Sequence, residues 1–324
     1  MAELQFVKAF DQIKTLSDPR RLAILRLLMA EPATITHLGR LLGEHPAWIR
    51  HHMKRLEAAG LVELSEVQAT GGYVEKFYRA RAGAFLFQEV VLPQSAGVEP
   101  LVLFGSHDLA LTLLSERLHL IVLPVGSLDG LVALRQGLAH LTGCHLLDTA
   151  SNEYNLPYVR HFFPDRPVAV LTLAHRIQGL LLASGNPRQL RSLAALARPD
   201  VILANRNKGS GTRLWLDRQL ERLGIPFSQV RGYDRELPTH TAVAAAIAAG
   251  QADLGLGLEA AARQFNLDFI PLFQERYDLV IPQEQMESPR LQPMLDLIQS
   301  GGFRRSAGRL AGYETSHMGE PLAL

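Results

Sequence analysis

Residues 92–100, with the sequence LPQSAGVEP, divide the chain into two kinds of sequence. Two prolines, a glycine and small side chains suit a linker there and interrupt helix or strand. Before this stretch, short amphipathic helical segments lead into an alternating, strand-like region. After it, apolar runs of strand length alternate with helical segments, the pattern of α/β units. A chain of 324 residues is long enough for about two or three folding units. The expected organisation is a first domain over residues 1–91, the linker, and a second domain over residues 101–324.

The overall charge is +1, so any contact with a polyanion must come from a local patch of lysine and arginine. Cys144 is the single cysteine, which excludes an intrachain disulfide and a cysteine-rich zinc site. The opening MAELQFVKAFDQIKTL lacks the basic-then-apolar order of a signal peptide. No uncharged apolar run reaches about 18 residues, so no membrane span is expected. These readings point to a cytoplasmic protein.

Three helices are predicted within residues 17–64. Asp18 and Pro19 open the first, an acid near the positive helix end and a proline in the first turn. Leu22, Ile24, Leu25, Leu27 and Leu28 form its apolar face. Thr36 is expected to cap the second, which turns Leu38, Leu41 and Leu42 inward and ends at Gly43. His45 and Pro46 begin the third, with Ile49, Met53 and Leu56 as its buried seam. Its other face presents Trp48, Arg50, His51, Lys54 and Arg55. A recognition helix needs that division: arginine reaches guanine acceptors in the major groove, and lysine and arginine hold phosphates. Gly60 suits a left-handed cap. Residues 61–67 and 73–79, joined through the turn 69–72, form a hairpin that would serve as a wing and would bring Thr70 and Lys76 to DNA. A basic helix face alone is an ordinary solvated surface; the ordered series of helices, glycine turn and hairpin favours the DNA reader.

The segments LSDPRRLAILRLL and HPAWIRHHMKRLEAAGLVEL, with the hairpin, resemble the winged helix-turn-helix of ArsR-type regulators over roughly the first quarter of the chain. Some members of that family bind metal through cysteines on these helices; this segment has none, so no metal site is expected. His51 and His52 splay apart on a helix and read as DNA-facing or packing residues. The resemblance implies that residues 1–14 and 85–91 form helices pairing two subunits. A homodimer would match the two-fold symmetry of palindromic, double-stranded operator DNA.

In the second domain the segment NRNKGSGTR, residues 205–213, follows the apolar run VILA and precedes a helical segment. Gly209 and Gly211 free the backbone to curl around a guest, Ser210 and Thr212 offer hydroxyls, and Arg213 adds a charge. A helix start contributes N–H groups and a positive dipole end, so the segment describes an oxyanion cradle as well as an ordinary helix cap. Arg213 either compensates a ligand or pairs with Asp217 one turn on. The glycine spacing does not match a P-loop. Ser106, in GSHD, and Ser127, in GSLDG, also follow strand-like runs and open helices. Ligands gather at the carboxyl ends of strands in open α/β sheets, so three such ends favour a binding cleft.

These motifs, with EYNLPYV, THTAVAAAIAAGQADLGLG and ERYDLVIP, resemble the two-lobed, type II periplasmic-binding-protein-like domain of molybdate- and tungstate-binding proteins, from about residue 101 to 319. The resemblance implies a tetrahedral oxyanion held between lobes by Ser106, Ser127, Ser210, Gly211, Thr212 and Arg213, with Thr239 and Tyr277 as further candidates. Lobe one would comprise residues 101–173 and the helices from 289 onward, and lobe two residues 186–269, with crossings near 174–183 and 273–279.

The expected function is therefore a one-component transcription regulator. It would bind operator DNA through the winged helix and respond to molybdate or tungstate, with no other cofactor; a small organic acid is the alternative effector. His107, His119, His140, His145, His161, His175 and His240 read as scattered, and no nucleophile elbow, zinc motif or phosphate-transfer motif accompanies them, so catalysis is not expected.

Overall fold

The computed structural model describes residues 4–7, 10–70, 73–87 and 99–324. Most of the expected linker and the hairpin tip, Gly71 and Gly72, lie outside them. The chain divides into two compact units, Met1–Val91 and Leu92–Leu324. Among the described residues no helix is long and apolar enough to cross a membrane.

In the first unit, helices Pro19–Ala30, Ile35–Leu42 and Pro46–Ala58 enclose a core of Ile24, Leu25, Leu28, Leu38, Ile49, Met53 and Leu56. Asp18 caps the first helix by accepting from the Arg20 N–H, with Pro19 at the first helical position. The second is capped by Thr34, not Thr36: Thr34 Oγ1 accepts from the His37 N–H at 3.1 Å. Helix begins at Ile35, so Thr36 is already inside it. Gly43 and Gly60 both adopt φ of +68°, the left-handed conformation that ends each helix without a Cβ penalty. Strands Val62–Thr70 and Tyr73–Ala80 pair antiparallel as the wing, and Ala33–Thr34 joins their sheet.

The flanking segments differ from expectation. Leu4–Val7 and Ala84–Phe87 are strands paired parallel to one another, and a seven-residue helix, Phe10–Leu16, follows the first. The reading of residues 85–91 as helix is therefore corrected for 85–87, while 88–91 lie outside the described residues. LQFV carries an aromatic and the β-branched Val7, and AFLF carries two aromatics; both suit a pleated strand.

The second unit is organised around two long antiparallel strands, Val168–Leu182 and Asp268–Pro282. Each runs unbroken through the polar residues that separate its apolar runs. On one side of this pair lie strands Leu141–Cys144, Leu101–Gly105 and Leu120–Pro124; on the other lie Leu254–Leu258, Leu203–Arg206 and Glu236–Leu237. The long strands thus pass through both lobes. Their first and last halves belong to different cores: Leu171, Leu173, Leu279 and Ile281 pack in lobe one, and Leu180, Leu182 and Ile270 in lobe two. The crossing falls at His175–Gln178 against Phe273–Arg276, next to bulges after Thr172 and Gln178. Alternation there puts Arg176, Gln178, Glu275 and Tyr277 in the interior, all no more than 2% exposed.

Candidate functional site

The recognition-helix candidates separate by environment. Arg50, His51, Lys54 and Arg55 are exposed on helix Pro46–Ala58, opposite the buried Ile49, Met53 and Leu56. Lys76 is exposed on the wing. Trp48 is half-buried instead: its ring lies 4.2 Å from that of His52, and it packs on the helical core. His45 caps the helix, its Nδ1 accepting from the Ala47 N–H at 3.2 Å. Thr70 ends its strand, and its side chain is outside the described part of the chain.

In the second unit three predicted loops meet. The Leu128 N–H of lobe one donates to the Gly209 carbonyl of lobe two at 3.2 Å, and Asn207 Nδ2 donates to the Val125 carbonyl at 2.9 Å. Gly126, at φ +108°, faces Gly209 and Ser210 so closely that a Cβ would lie 3.0 Å from the Gly209 carbonyl carbon. Gly211 is pressed on His145, where a Cβ would collide with the His145 carbonyl oxygen.

His145 is the hub of this junction. Ser106 Oγ lies 2.8 Å from its Nε2, Ser127 Oγ accepts from its backbone N–H, and Glu275 Oε2 lies 2.7 Å from its Nδ1. Burial pushes the Glu275 carboxyl up, but the Arg176 guanidinium and His145 beside it prevail and hold it at about 2. The ionised carboxylate accepts from Nδ1, which leaves Nε2 to accept from the Ser106 hydroxyl. The EYNLPYV segment supports the same loop: Asn155, at φ +63°, accepts from the Leu146 N–H at 2.6 Å and donates to Asp278 at 2.7 Å.

The remaining predicted side chains are engaged with protein. Ser210 caps helix Gly211–Arg222. Thr212 Oγ1 lies 2.8 Å from Gln178 Nε2, and Gln178 also donates to Glu275. Tyr277 donates to the Ser106 carbonyl at 2.5 Å. Thr239 caps helix His240–Ala248. Arg213 pairs with Asp217 at 2.8 Å and stacks over the Tyr233 ring, so its charge is met within lobe two.

The groups left wanting a partner are others. Arg176, fully buried, bonds Asp108 Oδ2 at 2.5 Å and Glu275 Oε1 at 2.7 Å, yet its Nη2 has no hydrogen-bond partner. Arg206, also fully buried, bonds the Leu237 and Pro238 carbonyls, Asn207 and His240, and none of these is a carboxylate. Burial, then the neighbouring Arg176, lowers its guanidinium to about 9. Its Nη1 stands 3.0 Å from His240 Nε2. A guanidinium only donates, so Nε2 accepts and the imidazole proton sits on Nδ1. That Nδ1 is buried without a partner, as is Nδ1 of His107, whose ring centroid is 5.9 Å from that of His240. Burial and then Arg206 lower His107 to about 4; the same causes, joined by Arg176, hold His240 well below 6.5. A buried donor without an acceptor is costly.

Beside this junction a cavity of about 470 Å³ opens between the lobes, with His145, Tyr154, Gly211, Trp215, Phe273 and Glu275 in its wall. Among the described residues no group of three or more His, Cys, Asp or Glu side chains is placed to hold a metal ion.

Sequence reasoning found the hydroxyl-bearing loops but not Arg176, Arg206, Gln178, Glu275 or the histidine grouping. The histidines are not all scattered: His107, His145 and His240 meet at the junction. The available signal was polar residues ending or interrupting apolar strands, Asn205-Arg206 after VILA and Arg176-Ile177-Gln178.

Comparison with known proteins agrees with this architecture. Residues 111–299 match the PBP superfamily domain, and residues 16–65 match a helix-turn-helix domain. The chain is 33% identical to the uncharacterized protein YvgK of Bacillus subtilis (strain 168) over 229 residues, 69% of this chain and 74% of that protein. It is 42% identical over 106 residues to an uncharacterized protein in the ferredoxin 2Fe-2S gene 5′ region of Clostridium pasteurianum, 32% of this chain and 94% of that one. Among solved structures, an ABC-type phosphate transport receptor from Vibrio cholerae aligns at 14% identity with a TM-score of 0.42, covering 66% of this chain and 98% of that one.

Proposed function

From the premise that this chain belongs to the PBP superfamily and also carries a helix-turn-helix domain, we propose a ligand-responsive regulator of transcription. Its DNA-reading surface is the exposed face Arg50, His51, Lys54 and Arg55, with Lys76 on the wing. Its effector is a small tetrahedral oxyanion of the molybdate or tungstate kind, bound between the lobes. The observation that carries this reading is Arg206: a buried guanidinium without a carboxylate partner, beside the unpartnered His240 Nδ1 and Arg176 Nη2. An anion gives Arg206 the direct negative partner it lacks and supplies the missing acceptors. Because it would touch both lobes, it favours the closed arrangement by its differential affinity. The regulator acts on DNA as a homodimer, the arrangement that palindromic operators require.

The cavity beside His145 favours a second effector class. Its aromatic wall of Tyr154, Trp215 and Phe273 suits the body of an organic acid whose carboxylate meets Arg218 in the same wall.

The line Ser106–His145–Glu275 has the order of nucleophile, base and orienting acid. Ser106 is 0% exposed, and its hydroxyl and carbonyl are both engaged, which supports a positioning role.

The test is operator selection from random duplex DNA by the full chain, followed by gel shift with and without molybdate, tungstate and a panel of carboxylates. A change in operator affinity with an oxyanion supports the proposal. Response to carboxylates alone moves the effector to the second class. No DNA selected, with or without ligand, ends the regulator reading.

A further inference from the structure

The fixed charges of the interlobe cluster cancel. Arg176 is answered twice, by Asp108 and Glu275, and Arg206 by no carboxylate: two positive groups against two negative ones, all buried. Molybdate, tungstate and sulfate are dianions. Placed beside Arg206, any of them would leave the closed cluster with two uncompensated negative charges, and burial removes the solvent that would otherwise screen them. The charge must come from a group able to gain a proton.

The candidates follow from what surrounds the site. His240, at the start of helix His240–Ala248, faces Arg206 from strand Leu203–Arg206, Arg176 from the first long strand, and His107 and His145 from lobe one. His107 faces Arg206, Arg176 and its own neighbour Asp108. Glu275 and Tyr277 come from the second long strand, and Tyr313 donates to Asp108. The two arginines are already cationic. Both ring nitrogens of His145 are occupied, by Glu275 and Ser106. His107 and His240 alone among these groups combine a neutral ring with a buried, unpartnered nitrogen, one from each lobe.

We propose that His107 and His240 are ligand-contacting residues that set specificity for a dianionic oxyanion by taking up a proton as the anion binds. Their positions make the proton a bridge: charge placed on either ring attracts the anion held between the lobes, and with it the opposite lobe. Arg206 fixes the polarity of His240, since its Nη1 occupies Nε2 and leaves Nδ1–H as the donor. Burial and the neighbouring arginines hold both rings neutral near pH 7. A dianion reverses that balance, so binding consumes protons and tightens as pH falls. The inference rests on the anion-sensor reading above and specifies the ligand charge that site accepts.

The experiment is isothermal calorimetry of the full chain with sodium molybdate, in two buffers of different ionisation heat. Native protein should show net proton uptake, and its affinity should rise roughly tenfold per pH unit lowered for each proton taken up. His107→Gln and His240→Gln, which keep an amide donor, should each reduce the uptake, and the double variant should abolish it. Molybdate binding with no proton exchange, with proton release, or with uptake unchanged in both single variants overturns this inference and leaves the anion sensor standing. Absence of heat with molybdate, tungstate and sulfate ends both. The uptake by native protein is read without any variant, so a variant that does not fold does not decide the matter.

Discussion

At the scale of residues, the site depends on side chains whose charge state is set by burial. Without anion, His107 titrates at about 4 and His240 well below the ordinary 6.5. In that interval the unfolded chain binds more protons than the folded one, so stability rises with pH there. The melting temperature of the anion-free protein should therefore fall as pH is lowered from about 6.5 toward 4, and glutamine at both positions should flatten the fall. Scanning calorimetry reads this directly; a slope unchanged in the double variant contradicts the neutral-ring assignment. Ser210 has a different role. Its hydroxyl caps helix Gly211–Arg222, so Ser210→Ala should lower stability by about 1 kcal/mol in urea unfolding. A larger loss of anion affinity than of stability would instead return Ser210 to the ligand.

At the scale of elements, the close approach of helix Gly211–Arg222 to the loop at His145 sets how tightly the lobes meet. A methyl group at Gly211 would press on the His145 carbonyl. Gly211→Ala should cost the closed arrangement about 1–3 kcal/mol, seen as a comparable loss of oxyanion affinity in a folded protein. Unchanged affinity would mean that this contact does not govern closure. On the first unit, Arg50→Ala with Lys54→Ala should weaken operator binding and lower the slope of log affinity against log salt by about 2, if both side chains hold phosphates. An unaltered slope would take them off the DNA. These elements were largely legible beforehand because their signals are local: Asp18-Pro19, Gly43 and Gly60 mark helix ends within a few residues. Ser210 was visible for the same reason, its run reading as an ordinary helix cap as well as a cradle, whereas Thr239, expected as a ligand candidate, is a cap. Arg176, Arg206, His107, His145 and His240 lie far apart in sequence, and only the crossing of the long strands brings them together. Arg213 illustrates the converse: it sits beside the predicted cradle, but helix geometry turns it to Asp217.

At the scale of the whole molecule, a DNA-reading unit and a two-lobed binding unit share one chain. If both units respond to one equilibrium, the ligand that closes the lobes and the DNA must influence each other reciprocally, with a coupling of about 1–3 kcal/mol, or roughly 5–150-fold in affinity. Operator DNA should then change oxyanion affinity by the same factor as oxyanion changes operator affinity; unequal factors would place the two sites on separate equilibria. That coupling presupposes the anion site itself, which one measurement addresses most directly. Equilibrium dialysis of molybdate against the native chain and Arg206→Gln, both checked for folding, should give saturable binding to the native protein and roughly 10–100-fold weaker binding to the variant, the loss of one charge-assisted contact. Equal affinity in the two proteins would contradict the claim that this buried guanidinium holds the guest.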